Sequence, residues 1–260
     1  MTHTHRNPHA EGVETRRFGT FLLGHDPAVV RVAAAAGLDF VVLDAEHGTY
    51  PVDRMTQFID AAQGIDVFVR CPVEDALHLA PVFDHGLTGV IVAGSPSPED
   101  IARVMERVKF PPQGHRGSNP FVAAAGFGRI GGAEFAAKSN ADTQVWVMAE
   151  SRAQFEALPH YCDIPGVSGV FLGPYDLSVD LGVPGQMDHP AVTEALNGAI
   201  RTVREQHLPV AIFARDGASA RAWLERGVTW VALSADWGLL AESWRRLRAS
   251  AQGIAGKPIS

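Results

Sequence analysis

The sequence predicts a single-domain α/β protein of the (β/α)8 (TIM) barrel class, and three features support this prediction. Eight short apolar segments recur along the 260 residues, and segments of helical periodicity separate them. Most of the eight are apolar at nearly every position, as in strands that are covered on both faces. Glycines end several helical segments just before the next strand. Such alternation indicates parallel βαβ units, and eight of these units close into a barrel.

The elements follow one another in a regular order along the chain. The predicted strands are Phe18–Leu23, Phe40–Leu43, Val67–Arg70, Gly89–Val92, Gln144–Ala149, Gly169–Leu172, Val210–Phe213 and Trp230–Leu233. The clearest helical segments are Ala28–Ala36, Pro98–Val108, Arg152–Leu158, Pro190–Glu205 and Ala218–Arg226. Gly37, Gly86 and Gly227 stand where a helix that precedes a strand needs a left-handed residue. We expect a flexible tail over residues 1–16, the barrel over 17–252 and a short tail over 253–260.

Composition and charge exclude several classes of function. The net charge is −7, with charges of both signs mixed along the chain, so we expect neither a nucleic acid nor an anionic membrane as partner. The polar N-terminus lacks the apolar core of a secretory signal, and no segment approaches the ~20 apolar residues of a membrane span. A cytoplasmic protein is therefore expected. Cys71 and Cys162 fit neither a disulfide framework nor a thiolate zinc site, and are interpreted as small buried residues.

Polar side chains follow the carboxyl ends of many of the predicted strands, which is where barrel enzymes carry their catalytic groups. They are Asp44, Glu46, His47, Arg70, Glu150, Asp176 and Asp236. Glu150 and Asp176 follow neighbouring strands, and two carboxylates with open positions for water and substrate suit Mg²⁺ or Mn²⁺. Their alternative roles are helix N-caps or surface carboxylates.

The second and third strand ends suggest acid–base and anion-stabilising groups. Asp44 could orient the His47 imidazole, which would make His47 a general acid/base, although a histidine after a strand is often structural. Arg70 could stabilise an enolate oxygen or bind a carboxylate. Its alternative role is an internal salt bridge to Asp44 or Glu46.

Two other kinds of chemistry find little support. Lys109, Lys138 and Lys257 do not follow predicted strands, whereas a Schiff-base aldolase needs a desolvated lysine in such a place. Carbonyl chemistry would then need an electrophilic metal. Gly126–Gly131 matches GxGxxG, but a dinucleotide site requires a preceding strand, and here the irregular loop Phe110–Asn119 and an alanine-rich stretch precede it.

Five segments together resemble the metal-dependent pyruvate aldolases. They are LDAEH (43–47), VFVRCPVED (67–75), KFPPQGHRG (109–117), VMAES (147–151) and GVSGVFLGPYDLSVDLGVPGQMDHPAV (166–192). That family includes 4-hydroxy-2-oxoheptanedioate and 2-dehydro-3-deoxyglucarate aldolases and is related to macrophomate synthase. The resemblance extends from about Gly19 to about Ala241.

The resemblance implies a role for each matching residue. Glu150 and Asp176 would hold the divalent metal (Mg²⁺, Mn²⁺ or Co²⁺), and Arg70 would stabilise the enolate. His47 would be the acid/base, supported by Asp44 and Asp84. The residues implied to contact the substrate are Glu46, Met148, Gly173, Pro174 and Tyr175. Family members are usually hexamers built from dimers that exchange a C-terminal helix, a part that Leu239–Ala249 could play.

The expected reaction is reversible aldol cleavage of a 4-hydroxy-2-oxo acid to pyruvate, or a related 2-oxo acid, and an aldehyde. Met148 stands where the family often has Gln, Tyr175 where it has a small residue, and Ala93–Ser95 where it reads P-M-V. These departures concern the acceptor pocket. The alternatives are a sister lyase (an acyl-CoA lyase or a decarboxylase), or a binding protein without catalysis, and the near-complete set of strand-end residues argues against the latter.

Overall fold

The structure, a computed structural model, describes residues 15–62 and 64–253. Nearly all of the two predicted tails lies outside these residues. Eight parallel strands close into one barrel in chain order, with β8 pairing against β1, so the predicted fold class is confirmed. The strands are β1 Arg17–Leu22, β2 Phe40–Asp44, β3 Asp66–Pro72, β4 Gly89–Ala93, β5 Gln144–Ala149, β6 Val167–Leu172, β7 Val210–Ala214 and β8 Trp230–Ala235.

Helices cover the outside of the barrel. They are α1 Ala28–Ala35, α2 Val52–Ala61, α3 Val73–Ala76, α4 Ala80–His85, α5 Pro98–Val108, α6 Gly132–Asp142, α7 Arg152–Glu156, α8 Leu158–Cys162, α9 Pro174–Asp180, α10 Pro190–Glu205, α11 Gly217–Glu225 and α12 Asp236–Ala251. Gly37, Gly86 and Gly227 have φ values of 80°, 113° and 101°, which confirms the predicted left-handed helix ends. Within the described residues, no helix is long and apolar enough to cross a membrane.

Aromatic side chains fill the interior of the barrel. The ring of Trp230 lies 4.8 Å from that of Trp146 and 5.1 Å from that of Phe40, measured between centroids. A Cβ on Gly169 would lie 2.5 Å from the Trp146 ring, so only glycine leaves room for this indole. Large rings in contact bury much apolar area, and the interior is therefore a packed core rather than a channel.

Charged groups close the end of the barrel where the strands begin, which we call the floor. The Arg17 guanidinium lies 4.2 Å above the Trp230 ring. It also donates to the Asp66 carboxylate at 2.6 Å and to the Asp39 carbonyl at 3.0 Å. The opposite end, where the carboxyl ends of the strands meet, is called the mouth.

The alternation of side chains along each strand brings polar groups to the mouth. Val42, Phe68 and Met148 belong to the interior core. Because successive side chains of a strand point to opposite faces, the residue two positions farther along also faces the barrel axis. Those residues are Asp44, Arg70 and Glu150. The inward-facing positions of the strands thus form the apolar interior along most of their length and the polar mouth at their carboxyl ends.

The GxGxxG segment has no strand before it. Ala123–Ala125 forms a 3-10 turn, and α6 begins directly after Gly131. The rejection of a dinucleotide site agrees with this local structure, since that motif needs a strand on its N-terminal side.

Candidate active site

A buried ion pair between β2 and β3 forms the centre of the mouth. Nε of Arg70 donates to Oδ1 of Asp44 at 3.0 Å, and Nη2 donates to Oδ2 at 2.5 Å. The Arg70 guanidinium carbon lies 4.7 Å from the centroid of the Phe21 ring below it. Two parallel charge-assisted hydrogen bonds fix the plane of a guanidinium. The third guanidinium nitrogen, Nη1, lies 3.8 Å from the Met148 sulfur and has no stronger acceptor among the described residues.

The predicted pairing of Asp44 with the His47 imidazole is wrong. Oδ1 of Asp44 accepts hydrogen bonds from the backbone N–H groups of Glu46 and His47, each at 3.2 Å. Asp44 therefore shapes the turn after β2, while its remaining hydrogen bonds go to Arg70. The His47 side chain is 64% exposed, and its Nε2 lies 4.0 Å from Oε2 of Glu46. The alternative role of Arg70, a salt bridge to Asp44, is present in the structure.

Glu46 brings a second carboxylate into the same small volume. Its Oε2 is buried without a hydrogen-bond partner among the described residues, although Nε of Arg70 lies 3.5 Å away. Burial raises the pKa of Glu46, Asp44 and Asp176 raise it further, and Arg70 and His47 oppose the rise. A buried oxygen without a donor is costly unless a bound group satisfies it.

Glu150 follows β5 and faces Glu46 across the mouth. Its Oε1 accepts from the backbone N–H of Gly94 at 3.2 Å. Burial raises the pKa of Glu150, and the charges of Glu46 and Asp176 add to the effect. A Cβ on Gly173 would lie 2.8 Å from the Glu150 Cβ, so a glycine at the end of β6 lets the two strands' ends come together.

Asp176 lies in the first turn of α9 and is exposed. Its charge contributes to the raised pKa values of both Glu46 and Glu150. No group of three or more His, Cys, Asp or Glu side chains in the described ranges is already arranged to hold a metal ion.

The other predicted substrate contacts lie at or just after the carboxyl ends of β5 and β6. Met148 is buried beneath Glu150 and beside Arg70. Pro174 is buried in the first turn of α9, where its missing N–H costs nothing. Tyr175 is 60% exposed and faces solvent at the rim of the mouth.

Asp84 does not reach the site within this chain. It lies near the C-terminal end of α4, just before β4 begins, and therefore at the floor end of the barrel. There it forms an ion pair with Arg116, whose guanidinium carbon lies 4.6 Å from the Phe110 ring centroid. Arg116, from the irregular loop after α5, thus supports the floor, and the support of His47 by Asp84 that the resemblance implies stays a prediction.

One lysine is more buried than the sequence suggested. Lys109 is 3% exposed, and burial lowers the pKa of its amine to about 8. Its Nζ donates to the Asn140 carbonyl at 2.6 Å and to the Thr143 carbonyl at 2.5 Å, at the C-terminal end of α6. Because α6 leads into β5, this amine lies at the floor end, away from the mouth carboxylates.

The sequence interpretation missed Gln154, a buried residue of α7 that organises the Glu150 segment. Its Oε1 accepts from the Glu150 N–H at 3.0 Å and from the Ser151 hydroxyl at 3.2 Å, and its Nε2 donates to the Met148 carbonyl at 2.9 Å. The sequence signal that could have identified Gln154 is a glutamine one helical turn after the acidic residue at the end of a strand.

Asp236, noted only as a polar strand end, has a structural role. Its carboxylate accepts from the backbone N–H groups of Leu23 at 3.0 Å, Gly24 at 2.9 Å and Trp237 at 2.8 Å. It thereby joins the segment after β1 to the start of α12. The segment is held from its other side by the Tyr50 hydroxyl, which donates to the Gly24 carbonyl at 2.5 Å.

Fold and site together define an α/β-barrel enzyme whose mouth carries a fixed arginine among carboxylates. Residues 17–243 match the family described as HpcH/HpaI aldolase/citrate lyase, and the chain belongs to this family. It is therefore a carbon–carbon lyase of the aldehyde-lyase class.

Similar proteins agree with this assignment. The chain is 32% identical to a hydroxypyruvate/pyruvate aldolase of Deinococcus radiodurans, over 90% of this chain and 85% of that protein. It is 31% identical to a 4-hydroxy-2-oxo-heptane-1,7-dioate aldolase of Escherichia coli, over 86% and 87%. A crystal structure of an HpcH/HpaI aldolase from Desulfitobacterium hafniense is similar with a TM-score of 0.85 at 28% identity, covering 94% of this chain and 96% of that one.

Proposed function

We propose that this chain catalyses divalent-metal-dependent, reversible aldol cleavage of a 4-hydroxy-2-oxo acid to pyruvate and an aldehyde. Family membership supports the class of reaction. The observation that carries the proposal is the inward-facing set Asp44, Arg70 and Glu150, which brings a fixed cation and a desolvated carboxylate to one mouth.

The residues present fit a hard divalent cation such as Mg²⁺, Mn²⁺ or Co²⁺. Glu150 and Asp176 would hold it, because carboxylate oxygens are the ligands that these ions prefer. Burial, and then the neighbouring carboxylates, raise the pKa of Glu150, and Oε2 of Glu46 is buried without a hydrogen-bond partner among the described residues; a bound cation would relieve both conditions. When bound, the ion polarises the 2-keto group of the substrate.

Arg70 would stabilise the enolate that forms as the carbon–carbon bond breaks. Asp44 fixes the guanidinium plane through two hydrogen bonds, so Nη1 is the nitrogen that remains to donate to the enolate oxygen. A donor that is already oriented needs no reorganisation as charge develops, and its contribution is correspondingly large.

His47 is proposed as the group that accepts the hydroxyl proton. Its exposed imidazole, with Nε2 4.0 Å from Oε2 of Glu46, is open to substrate, and an imidazole can accept a proton in general base catalysis. Loss of that proton lets the C3–C4 bond break, with release of the aldehyde. The bonding pair stays with pyruvate as its enolate, which a proton at C3 then converts to pyruvate. In this scheme Glu46, Met148, Gly173, Pro174 and Tyr175 surround the substrate.

Exchange of the pyruvate methyl protons in D₂O tests the enolate chemistry without an aldehyde. The protein is treated with EDTA and then supplied with Mg²⁺, Mn²⁺ or Co²⁺, and the methyl signal is followed by NMR. We expect metal-dependent exchange that Arg70→Ala and Asp176→Ala abolish while the circular dichroism spectrum is unchanged. Full exchange in EDTA, or in the Asp176→Ala protein, would refute the metal assignment.

We further propose that the protein is a homo-oligomer, a hexamer or trimer of dimers, in which α12 packs on another copy. Of the sixteen residues of α12, all within the described ranges, only Asp236 is buried. Leu240, Trp244 and Leu247 are exposed and follow one another at helical spacing. Sedimentation of Trp244→Glu should show smaller species than the unchanged chain, and an unaltered assembly would count against this role of α12.

A cytoplasmic location stays a prediction.

A further inference from the structure

We propose that Arg215 binds an anionic group, a carboxylate or a phosphate, on the aldehyde partner, so that the preferred acceptors are anionic aldehydes. The inference rests on the proposed function and specifies the substrate class of the same site. Arg215 directly follows β7, in a segment that the sequence did not single out.

The register of β7 brings Arg215 to the mouth. Ala211 belongs to the interior core and Phe213 packs against it. The Phe213 ring centroid lies 6.1 Å from that of Phe21, the ring beneath the Arg70 guanidinium. Arg215 is two residues beyond Phe213, just as Glu150 is two residues beyond Met148. Arg215 directly follows the carboxyl end of β7 and so lies at the mouth end of the barrel, and a continuation of the β7 alternation by one residue would turn its side chain toward the barrel axis.

The Arg215 guanidinium is available for a ligand. The residue is exposed, and no hydrogen bond or ion pair joins its side chain to any residue in the described part of the chain. The adjacent Asp216 is committed elsewhere, because its Oδ1 accepts from the backbone N–H of Ser219 at 2.8 Å and so caps α11. The hydrogen bonds from Ser219, then one from the Ala218 backbone and the Arg215 charge, lower the pKa of Asp216.

The position of Arg215 suits the far end of an aldehyde rather than pyruvate. The strands β5 and β7 are separated by β6, and neighbouring strands lie about 4.8 Å apart, so the backbones at Glu150 and Arg215 are about 10 Å apart. Because an arginine side chain is long, a guanidinium carried at that backbone separation would meet the far end of an aldehyde of a few carbons.

The charges around the mouth also favour a role for Arg215 in binding an anionic acceptor. Glu46 is a carboxylate at the mouth that is not assigned to the metal and would repel an anionic aldehyde, while Arg70 is engaged by Asp44. A second guanidinium on the β7 side would offset that repulsion and bind a carboxylate or phosphate in the planar, two-bond manner that arginine favours.

The test compares acceptors that differ in charge. Pyruvate and the supporting metal are held constant, and kcat/KM is measured for succinic semialdehyde against butanal and for glyceraldehyde 3-phosphate against glyceraldehyde. The proteins are the unchanged chain, Arg215→Gln, Arg215→Lys and the control Arg221→Gln, which removes an exposed arginine of α11. Removing a charge-assisted contact should lower kcat/KM for the anionic member of a pair about 10- to 100-fold more than for the neutral one.

The possible outcomes distinguish a failure of this inference from a failure of the proposed function. A selective loss with Arg215→Gln, partial retention with Arg215→Lys and none with Arg221→Gln would support the inference, and the pair with the larger loss would identify the anion. Equal changes for charged and neutral acceptors, in a protein that still exchanges the pyruvate methyl protons, would overturn it while leaving the proposed function intact. Absence of exchange in the unchanged chain would overturn both.

Discussion

Replacing Asp44 by alanine would leave the Arg70 guanidinium buried without its main partner. Asp44 is 3% and Arg70 9% exposed, so water cannot take over the two hydrogen bonds that are lost. Breaking a buried pair from one side costs about 3–5 kcal/mol. The Glu46 Oε2, 3.5 Å from Nε of Arg70, can recover part of this, so the lower figure applies and we expect about 3 kcal/mol.

Urea unfolding followed by circular dichroism, at matched protein concentration, measures this loss. A loss of that size corresponds to a fall in Tm of about 6–12 °C. The control is Asp60→Ala, which breaks the exposed pair between Asp60 and His85 and should change the free energy of unfolding by less than about 1 kcal/mol. The combined variant Asp44→Leu with Arg70→Met removes both charges and should be more stable than Asp44→Ala. An Asp44→Ala protein as stable as the control would refute the reasoning.

Three further changes test other contacts. Gln154→Leu removes the acceptor that holds the Glu150 N–H, and calorimetric titration should show Mn²⁺ binding weakened about 10- to 100-fold; unchanged binding would exclude a positioning role. In Lys109→Met the pH dependence of stability should change. The amine has a pKa of about 8 when folded and an ordinary value of 10.5, so between these pH values the unfolded chain binds the extra proton. The free energy of unfolding of the unchanged protein should therefore rise with pH across this window, by at most about 1.4 kcal/mol per pH unit, relative to Lys109→Met. Glu46→Gln removes a charge that raises the pKa of Glu150, so Mn²⁺ binding should persist to lower pH than in the unchanged chain, and an identical pH profile would contradict the coupling.

The strand ends could be predicted from the sequence because a buried parallel strand has a simple signature. An apolar run that stops at a charged residue marks both the strand and its mouth end, and this signature located Asp44, Arg70 and Glu150. The glycine helix ends followed from local backbone conformation alone. Prediction succeeded wherever neighbouring residues determine the outcome.

The contacts between strands could not be predicted in this way. Whether Asp44 holds Arg70 or His47 depends on how β2 and β3 align, and the pair lies 26 residues apart. Gln154 looks like any polar residue of a short helix until its burial is known. Asp84 matches a family position, but its place near the end of α4 puts it at the floor of its own chain. Such outcomes depend on three-dimensional arrangement that a linear pattern does not contain.

The closed floor has a kinetic consequence. Because Arg17 covers Trp230 and aromatic rings fill the interior, the barrel formed by residues 15–62 and 64–253 leaves reactants and products one opening, the mouth. In the proposed reaction, pyruvate would bind deepest, beside Arg70, and the aldehyde nearer to solvent. The aldehyde would then have to depart first on cleavage and arrive last on synthesis, which makes the turnover compulsorily ordered. Product-inhibition patterns would show pyruvate competing with the cleavage substrate for the empty enzyme, while the aldehyde inhibits noncompetitively.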